Sequence, residues 1–272
     1  MIVYTARGDG PSYSFSPRRR DRKVMEKFNR VSNTSRIKYF PSGSDRVRTN
    51  IDFNWKFLKG DISGEEEAHQ VSDITWEDVN IPHDWSIEGP YSRNNNTTQG
   101  FLPQGIGWYK KYIRLAECYE KRKVFIEFEG IYRNSKIWIN GYCLGEHNSG
   151  YTSFVYDVTD YVRLGSNNSL IIRVNARRHE EDTYEGAGIY RHVWLLVTNK
   201  LHISQWGTFV TTPKVSKEFA TVEIKTKVKN ENDTGKECLL ITTIVDEDNN
   251  VVRIAKTSHY IMEKSEYEFV QR

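Results

Sequence analysis

An Asn-Gly pair between two short apolar runs is the feature that most constrains how this chain can fold. In the stretch SKIWINGYCLGE, Asn140 and Gly141 separate the two runs. Both central residues of a type I′ turn need a positive φ angle, and Asn followed by Gly adopts it at the lowest cost. The pair therefore predicts a β-hairpin built from these two runs.

Alternating apolar residues extend this prediction along the middle of the chain. In KVFIEFEG (123–130), Val124, Ile126 and Phe128 fall on one strand face. The stretch SLIIRVN (169–175) alternates in the same way, and HVWLLV (192–197) follows it. Short strands that recur at this spacing are typical of a β-sandwich or jelly roll.

A second β-rich unit is predicted after residue 200. ATVEIKTKVKN (220–230) alternates, and residues 238–261 are predicted to form two strands joined across an Asp-Glu-Asp-Asn-Asn turn. This pattern is typical of an immunoglobulin-like sandwich, although about 70 residues stand where a complete one takes about 100. The expected fold class is all-β, a jelly-roll β-sandwich over 49–200 followed by a truncated immunoglobulin-like β-sandwich over 201–272.

Charge separates the first residues from the rest of the chain. Residues 1–50 hold 12 Lys and Arg against 4 Asp and Glu, a balance of +8, whereas the remainder holds 27 against 32. The run SPRRRDRK and the linker-like PSGSD lie in this part. We therefore expect residues 1–48 to be a basic, disordered tail, and the folded body offers no basic surface that would predict nucleic acid as a partner.

Several classes of protein are disfavoured by what the sequence does not contain. The three cysteines, Cys118, Cys143 and Cys238, form no C-x-x-C pair, so neither a zinc site nor any other metal site is expected. We expect no cofactor. No apolar run reaches 18 residues, so a membrane is not an expected partner. The first residues lack the apolar core of a secretory signal, which favours a cytoplasmic location, or a periplasmic one if the natural N-terminus is altered.

Five stretches, in this order, carry a resemblance to a known family. They are FNWKFLKGD (53–61), TWEDVNIPHDWSIEGPY (75–91), QGIGWYKKYI (104–113), FEGIYRNSKIWINGYCLGEHNSGYTSFVYDVTDYV (128–162) and YEGAGIYRHVWL (184–195). Residues 51–200 resemble the N-terminal sugar-binding domain of glycoside hydrolase family 2, which includes β-galactosidases, β-glucuronidases and β-mannosidases. Residues 201–272 resemble part of the immunoglobulin-like domain that follows it in this family.

The resemblance implies that this chain contributes no catalytic residue. In the family, both catalytic carboxylates belong to a third domain, a TIM barrel, and such a barrel takes about 250 residues. A retaining glycosidase needs its two carboxyl groups about 5–5.5 Å apart. Since no part of the chain alternates strand and helix as a barrel does, we expect it to be inactive alone.

The same resemblance implies candidate sugar-binding residues in two loops. In β-galactosidases of the family, an aspartate in the loop before the Gly-Ile-Tyr-Arg motif binds a sugar hydroxyl, and counting back six from Gly188 gives Asp182. Tyr184 and Glu185 lie in the same loop. In the polar stretch SRNNNTTQG (92–100), Asn96 is the residue selected, since some relatives place an asparagine from this region against the sugar.

The pair His83-Asp84 invites an acid/base interpretation. Neighbouring residues on a strand face opposite ways, which argues against a catalytic pair. We expect Asp84 to cap backbone N–H groups in a turn, with a contact to the sugar site as the alternative.

Three hypotheses of function follow. The first is the non-catalytic N-terminal part of a β-galactosidase-like hydrolase, with a β-galactoside-like carbohydrate and the catalytic barrel as partners and homo-oligomerisation open. The second is a free-standing, lectin-like carbohydrate-binding sandwich, and the third is a non-functional truncated product.

Overall fold

The computed structural model describes residues 2–7, 46–62, 75–177 and 183–272, and it is built almost entirely of β-strands. The strands are β1 (Ile2–Arg7), β2 (Arg46–Asn50), β3 (Trp55–Lys59), β4 (Glu77–Val79), β5 (Ile106–Arg114), β6 (Lys123–Phe128), β7 (Ser135–Ile139), β8 (Tyr142–His147), β9 (Phe154–Asp157), β10 (Asn167–Asn175), β11 (Val193–Thr198), β12 (Leu201–Val215), β13 (Ala220–Asn230), β14 (Lys236–Val245), β15 (Val251–Ile261) and β16 (Ser265–Gln271). Helical structure within these ranges is limited to 3-10 turns, among them Glu117–Tyr119. The all-β prediction is confirmed.

The described residues divide into two compact units. The first lies within residues 34–197, and the second consists of residues 198–272 together with strand β1. In the first unit, a six-stranded sheet has the order β4-β3-β5-β10-β7-β8 and a four-stranded sheet has the order β2-β11-β6-β9. These two sheets form the sandwich predicted for this part of the chain.

The predicted local patterns in the first unit are confirmed. Val124, Ile126 and Phe128 of β6 are all buried, as their spacing on one face requires. Asn140 and Gly141 have φ angles of 51° and 88°, and they connect β7 to its antiparallel neighbour β8. The Asn-Gly turn thus fixes the register of the hairpin, as a two-residue turn does.

Strand β5 departs from simple alternation because both of its faces are covered. Tyr109 and Ile113 contribute to the core between the two sheets. On the opposite face, Trp108 packs with Trp138, their ring centroids 5.8 Å apart, in a second apolar cluster. A strand buried on both sides anchors the segments that leave its ends, including the long connection from β4 to β5.

The second unit is made of two three-stranded sheets with the orders β12-β13-β16 and β1-β14-β15. Strands β14 and β15 pair as antiparallel neighbours on either side of the turn at 246–250, which confirms the pair of strands predicted there. The main hydrophobic cluster of this unit is Val228, Cys238, Leu240, Ile261 and Phe269.

Strand β1 differs from what was expected of residues 1–48. It pairs antiparallel with β14, with Ile2 opposite Ile244 and Arg7 opposite Leu239. Arg46 begins β2, and the rest of the expected tail, residue 1 and residues 8–45, lies outside the described residues. The composition of the segment as a whole obscured the strand-forming sequence IVYT at its start.

No helix in the described ranges has the length and apolar character needed to cross a membrane.

Candidate functional site

Two loops meet at one end of the first unit, and we call their contact the loop junction. One is the connection from β4 to β5, residues 80–105, and the other is the described part of the connection from β10 to β11, residues 183–192. Their backbones run side by side, since the N–H of His83 donates to the carbonyl of Ile189 at 2.8 Å and that of Trp85 to the carbonyl of Ala187 at 3.1 Å. Backbone hydrogen bonds therefore hold the two loops together at the junction.

Asp84 ties the two loops together through its carboxylate. One oxygen, Oδ1, accepts hydrogen bonds from the backbone N–H groups of Ser86 at 3.0 Å and Ala187 at 2.9 Å. The other, Oδ2, accepts from the hydroxyl of Tyr184 at 2.6 Å. The interpretation of Asp84 as a cap of backbone N–H groups is confirmed, and its contact with a sugar stays a prediction.

Tyr184 is bound to this carboxylate and still 42% exposed. Burial, and then the hydrogen bond to Asp84, raise the pKa of the Tyr184 hydroxyl, which stays protonated at neutral pH. Gly186 makes room for the contact, because a Cβ atom there would lie 2.8 Å from Asp84 Oδ2. The sequence EGAG thus allows the loop to close over Asp84.

Gln99 forms a second tie between the loops, and the sequence did not point to it. Its side chain is fully buried. The amide nitrogen donates to the carbonyl of Thr183 at 2.6 Å, and the amide oxygen accepts from the N–H of Glu185 at 2.9 Å. One amide side chain satisfies a donor and an acceptor of the facing backbone, which is what a buried polar group requires.

A buried chain of hydrogen bonds lies beneath the junction. The Tyr109 hydroxyl accepts from the N–H of Ile189 at 3.4 Å and lies 2.6 Å from Nδ1 of His83. Because the Glu88 carboxylate can only accept, Nε2 of His83 carries the proton and donates to it at 3.2 Å. Nδ1 of the neutral ring is then the acceptor of the Tyr109 hydroxyl proton. Burial raises the pKa of Tyr109 well above its usual value, so its proton stays in this chain.

His83 and Asp84 consequently have separate roles. The imidazole of His83 faces the buried Tyr109 hydroxyl, whereas the carboxylate of Asp84 faces the other loop. The expectation that they do not form a catalytic pair stays a prediction.

Asn96 shapes the tip of the first loop. Its side-chain oxygen accepts hydrogen bonds from the N–H and the hydroxyl of Thr98, each at 2.7 Å, and its carbonyl accepts from the N–H of Phe101 at 3.0 Å. The oxygen is thus occupied by its own loop. A contact between Asn96 and a sugar stays a prediction.

Glu185 lies next to a third segment, around Tyr132 and Gly150. Burial, and then the nearby Glu185 carboxylate, raise the pKa of Tyr132. Gly150 admits the Tyr132 ring, because a Cβ atom there would lie 2.2 Å from ring carbon Cδ2. The hydroxyl of Tyr190 donates to the carbonyl of Gly150 at 2.8 Å, so these residues form the side wall of the junction.

The structure therefore brings Asp84, Tyr184 and Glu185 to one place and puts Asn96 on the same loop as Gln99. Asp182 lies outside the described residues, and its neighbour Thr183 is held by Gln99. In the described ranges, no group of three or more His, Cys, Asp or Glu side chains is placed to hold a metal ion. Carboxylates and tyrosine hydroxyls at a surface can exchange hydrogen bonds with the hydroxyl groups of a ligand.

Comparison with known proteins points to one family. Residues 72–199 match the profile described as "Glycosyl hydrolases family 2, sugar binding domain". The chain is 37% identical over 234 residues to Beta-galactosidase BoGH2A of Bacteroides ovatus, covering 84% of this chain and 27% of that protein. It is 30% identical over 237 residues to a Beta-glucuronidase of Formosa agariphila, covering 78% of this chain and 24% of that protein.

Solved structures agree. A glycosyl hydrolase family 2 member from Bacteroides cellulosilyticus superimposes with a TM-score of 0.78 at 35% identity, covering 82% of this chain and 30% of that one. A beta-glucuronidase from Bacteroides uniformis gives a TM-score of 0.75 at 26% identity, covering 83% and 27%. The chain spans three tenths or less of the length of the relatives named here.

Proposed function

Because the chain contains the sugar-binding domain of glycosyl hydrolases family 2, we propose that it is the N-terminal, non-catalytic portion of a β-galactosidase-like hydrolase. Its role is to support the catalytic barrel and to supply loops that complete the sugar site. Hydrolysis of the glycosidic bond is the work of the barrel, which brings both carboxylates. The partners are that barrel and a β-galactoside-like carbohydrate.

The interlocked loop junction carries this proposal. A loop that contributes to a binding site must hold its side chains in place before the ligand arrives, because ordering them on binding costs affinity. Asp84 and Gln99 provide this order through five hydrogen bonds to the loop backbones and the Tyr184 hydroxyl. The junction is more strongly tied than a surface loop without a partner needs to be.

The chemistry of the exposed groups fits sugar hydroxyls. Tyr184 is 42% exposed and places its hydroxyl next to the Asp84 carboxylate. Glu185, which is half-buried, adds a second carboxylate, and charge-assisted hydrogen bonds to carboxylates are among the stronger ones. Asp182, adjacent to the segment held by Gln99, remains the residue that we propose to bind a sugar hydroxyl directly.

A chimera with a relative tests the proposal. Residues 51–272 replace the aligned region of Beta-galactosidase BoGH2A, and hydrolysis of nitrophenyl β-galactoside, β-glucuronide and β-mannoside is measured. We expect this chain alone to stay at background with all three, and the chimera to regain turnover of one. The size of the chimera in solution reports on homo-oligomerisation. A folded chimera as inactive as the isolated chain, beside an active parent, would contradict the proposal.

A matched pair of variants separates the site from the scaffold. In the chimera, Asp182→Asn removes the charge of the proposed sugar ligand, and Glu247→Gln removes a charge from the β14–β15 turn. We expect the first to lower kcat/KM by about 10- to 100-fold, the range for one or two lost charge-assisted hydrogen bonds. The second is expected to leave turnover unchanged.

A further inference from the structure

Two exposed tyrosine rings lie together at the end of the first unit away from the loop junction. Tyr142 is 56% exposed and Tyr161 39%, and their ring centroids are 5.4 Å apart with an interplanar angle of 44°. Strand β7 begins three residues after Tyr132 of the junction and ends just before the Asn140-Gly141 turn. Its five residues span roughly 17 Å, so the tyrosine pair and the junction are separate surfaces.

Two amide side chains, the half-buried Asn140 and the buried Asn168, hold the backbone on both sides of the pair. The side-chain nitrogen of Asn140 donates to the carbonyl of Tyr161 and to Oδ1 of Asn168, each at 2.8 Å. The side-chain oxygen of Asn140 accepts from the N–H of Ser169 at 3.0 Å. These bonds tie the hairpin turn that carries Tyr142 to the turn that carries Tyr161.

Asn168 completes this network from inside the fold. It is fully buried, and its side chain accepts from the N–H of Arg163 at 2.6 Å and donates to the carbonyl of the same residue at 2.9 Å. The turn between β9 and β10 is therefore fixed by hydrogen bonds. The two rings stand on a rigid base, which lowers the ordering cost of binding.

The size of the exposed surface selects a small ligand. A tyrosine has about 150–250 Å² of surface, so the exposed fractions amount to on the order of 200 Å² for the pair. A stable protein interface takes about 800 Å² from each partner. Asp160 and Arg163, both exposed, flank Tyr161 in the sequence, so charged residues interrupt the apolar surface beside it.

We propose that Tyr142 and Tyr161 form a surface site for the pyranose rings of an oligosaccharide or polysaccharide, separate from the loop junction. The apolar face of a pyranose matches one exposed ring in size, and the tilt between the rings suits a second sugar unit of the same chain. The phenol hydroxyls and the carboxylate of Asp160 offer hydrogen bonds to the sugar hydroxyls. The site holds a polymeric substrate and does not cleave it, and it stands whether or not the chain completes the sugar site of a barrel.

Affinity electrophoresis with soluble β-linked polysaccharides tests this site. The full chain is run in native gels that contain β-1,4-galactan, xyloglucan or hydroxyethyl cellulose, beside gels without polysaccharide. We expect at least one polysaccharide to retard the chain. The variants Tyr142→Ala and Tyr161→Ala should each weaken binding by about 2- to 10-fold, and the double variant should migrate as in an empty gel.

Two sets of controls keep the outcome interpretable. Tyr142→Phe and Tyr161→Phe retain the rings and should keep most of the retardation, and circular dichroism checks the fold of every variant. Phe209→Ala removes an aromatic side chain of the second unit that is 62% exposed, and it should change nothing. Absence of retardation by all three polysaccharides, or retardation that survives in the folded double variant, overturns the proposal.

The activity of the chimera on a nitrophenyl glycoside is expected to be the same with and without the double substitution. This test and the test of the proposed function therefore fail independently.

Discussion

The two units of the chain bury their strands to very different extents. In the first, β5 has six buried residues in a row and is covered on both faces. In the second, β15 has one buried residue among eleven, and Trp206, Phe209 and Phe219 are each at least 60% exposed. The first unit therefore has a core of its own, whereas the second depends on a small cluster and leaves large apolar side chains in water.

The long hairpin of the second unit shows this contrast most clearly. Beyond Thr211 of β12, the strand pairs with β13 alone, because the pairing of β13 with β16 begins at Ile224. A two-stranded ribbon is marginal in water without a surface to pack on. Val215 and Phe219 near its tip are 69% and 60% exposed. We expect this ribbon to be the least protected part of the described structure.

The largest expected effect comes from one core residue of the second unit. Phe269→Ala should cost about 3–5 kcal/mol, which approaches the whole stability of a small domain. Hydrogen exchange read by mass spectrometry should show full exchange across residues 201–272 and unchanged protection over 75–177. Phe128→Ala, with the same loss of volume in the larger core, should leave the first unit folded. Equal resistance of both units to these substitutions would contradict the comparison.

The next effect tests how closely the first unit is packed under the loop junction. Gly188 has a φ angle of 131°, and a Cβ atom there would lie 2.5 Å from the His83 carbonyl and from the Tyr109 hydroxyl. Gly188→Ala should therefore cost about 2–4 kcal/mol, from backbone strain and overpacking together. Gly60→Ala, at a φ of 118° with no atom within 4 Å, is the control for strain alone. Denaturation followed by tryptophan fluorescence gives both values, and equal losses would show that packing under the junction is loose.

Lys111 gives the first unit a pH dependence that the second unit does not share. Burial lowers the pKa of the Lys111 ammonium from 10.5 to about 8, partly offset by the charge of Asp52. Between these two values the unfolded chain binds more protons than the folded chain, so stability rises with pH across this window. The rise is about 3 kcal/mol, and Lys111→Met should remove it. In the second unit no lysine among residues 200–272 is buried, and burial raises the pKa of Cys238 from 9.0 to about 11. The unfolded chain loses that proton first, so exchange protection of the second unit should fall with pH where that of the first unit rises.

The smallest expected effect concerns the tie made by Gln99. Gln99→Ala removes two hydrogen bonds to the facing loop and should cost about 1–2 kcal/mol, with faster exchange at the amide of Glu185. Asn95→Ala removes one hydrogen bond at the exposed tip of the same loop and serves as the matched control. If the Glu185 amide exchanges at the same rate in both variants, the two loops are held together by other contacts.

Local chemistry explains which parts of the structure were predictable. The Asn-Gly hairpin, the face of β6 and the caps made by Asp84 each follow from a conformational preference or a period within a few residues. They persist because packing between the sheets agrees with them. The paired tyrosines Tyr142 and Tyr161, in contrast, are 19 positions apart, and no pattern joins them.

Other features depend on long-range packing that a sequence pattern does not contain. Lys110 and Lys111 are both buried in β5, although alternation predicts that charged residues face water. Gln99 lies in a polar stretch that predicts an exposed loop. Its side chain is buried because it bonds to Thr183 and Glu185, which are 84 and 86 residues further along the chain. The pairing of strand β1 also depends on a long-range contact, since its partner β14 lies more than 230 residues further along the chain.

The reactivity of Cys238 reports how fast the second unit opens. Its thiol is buried in the hydrophobic cluster, and burial raises its pKa to about 11, whereas Cys118 and Cys143 are exposed in the first unit. Since the thiolate is the reactive form, a maleimide or disulfide reagent should modify two thiols at once and the third at the rate at which the second unit opens. The position of one small side chain thus makes the opening of the second unit measurable through a residue that the chain already contains.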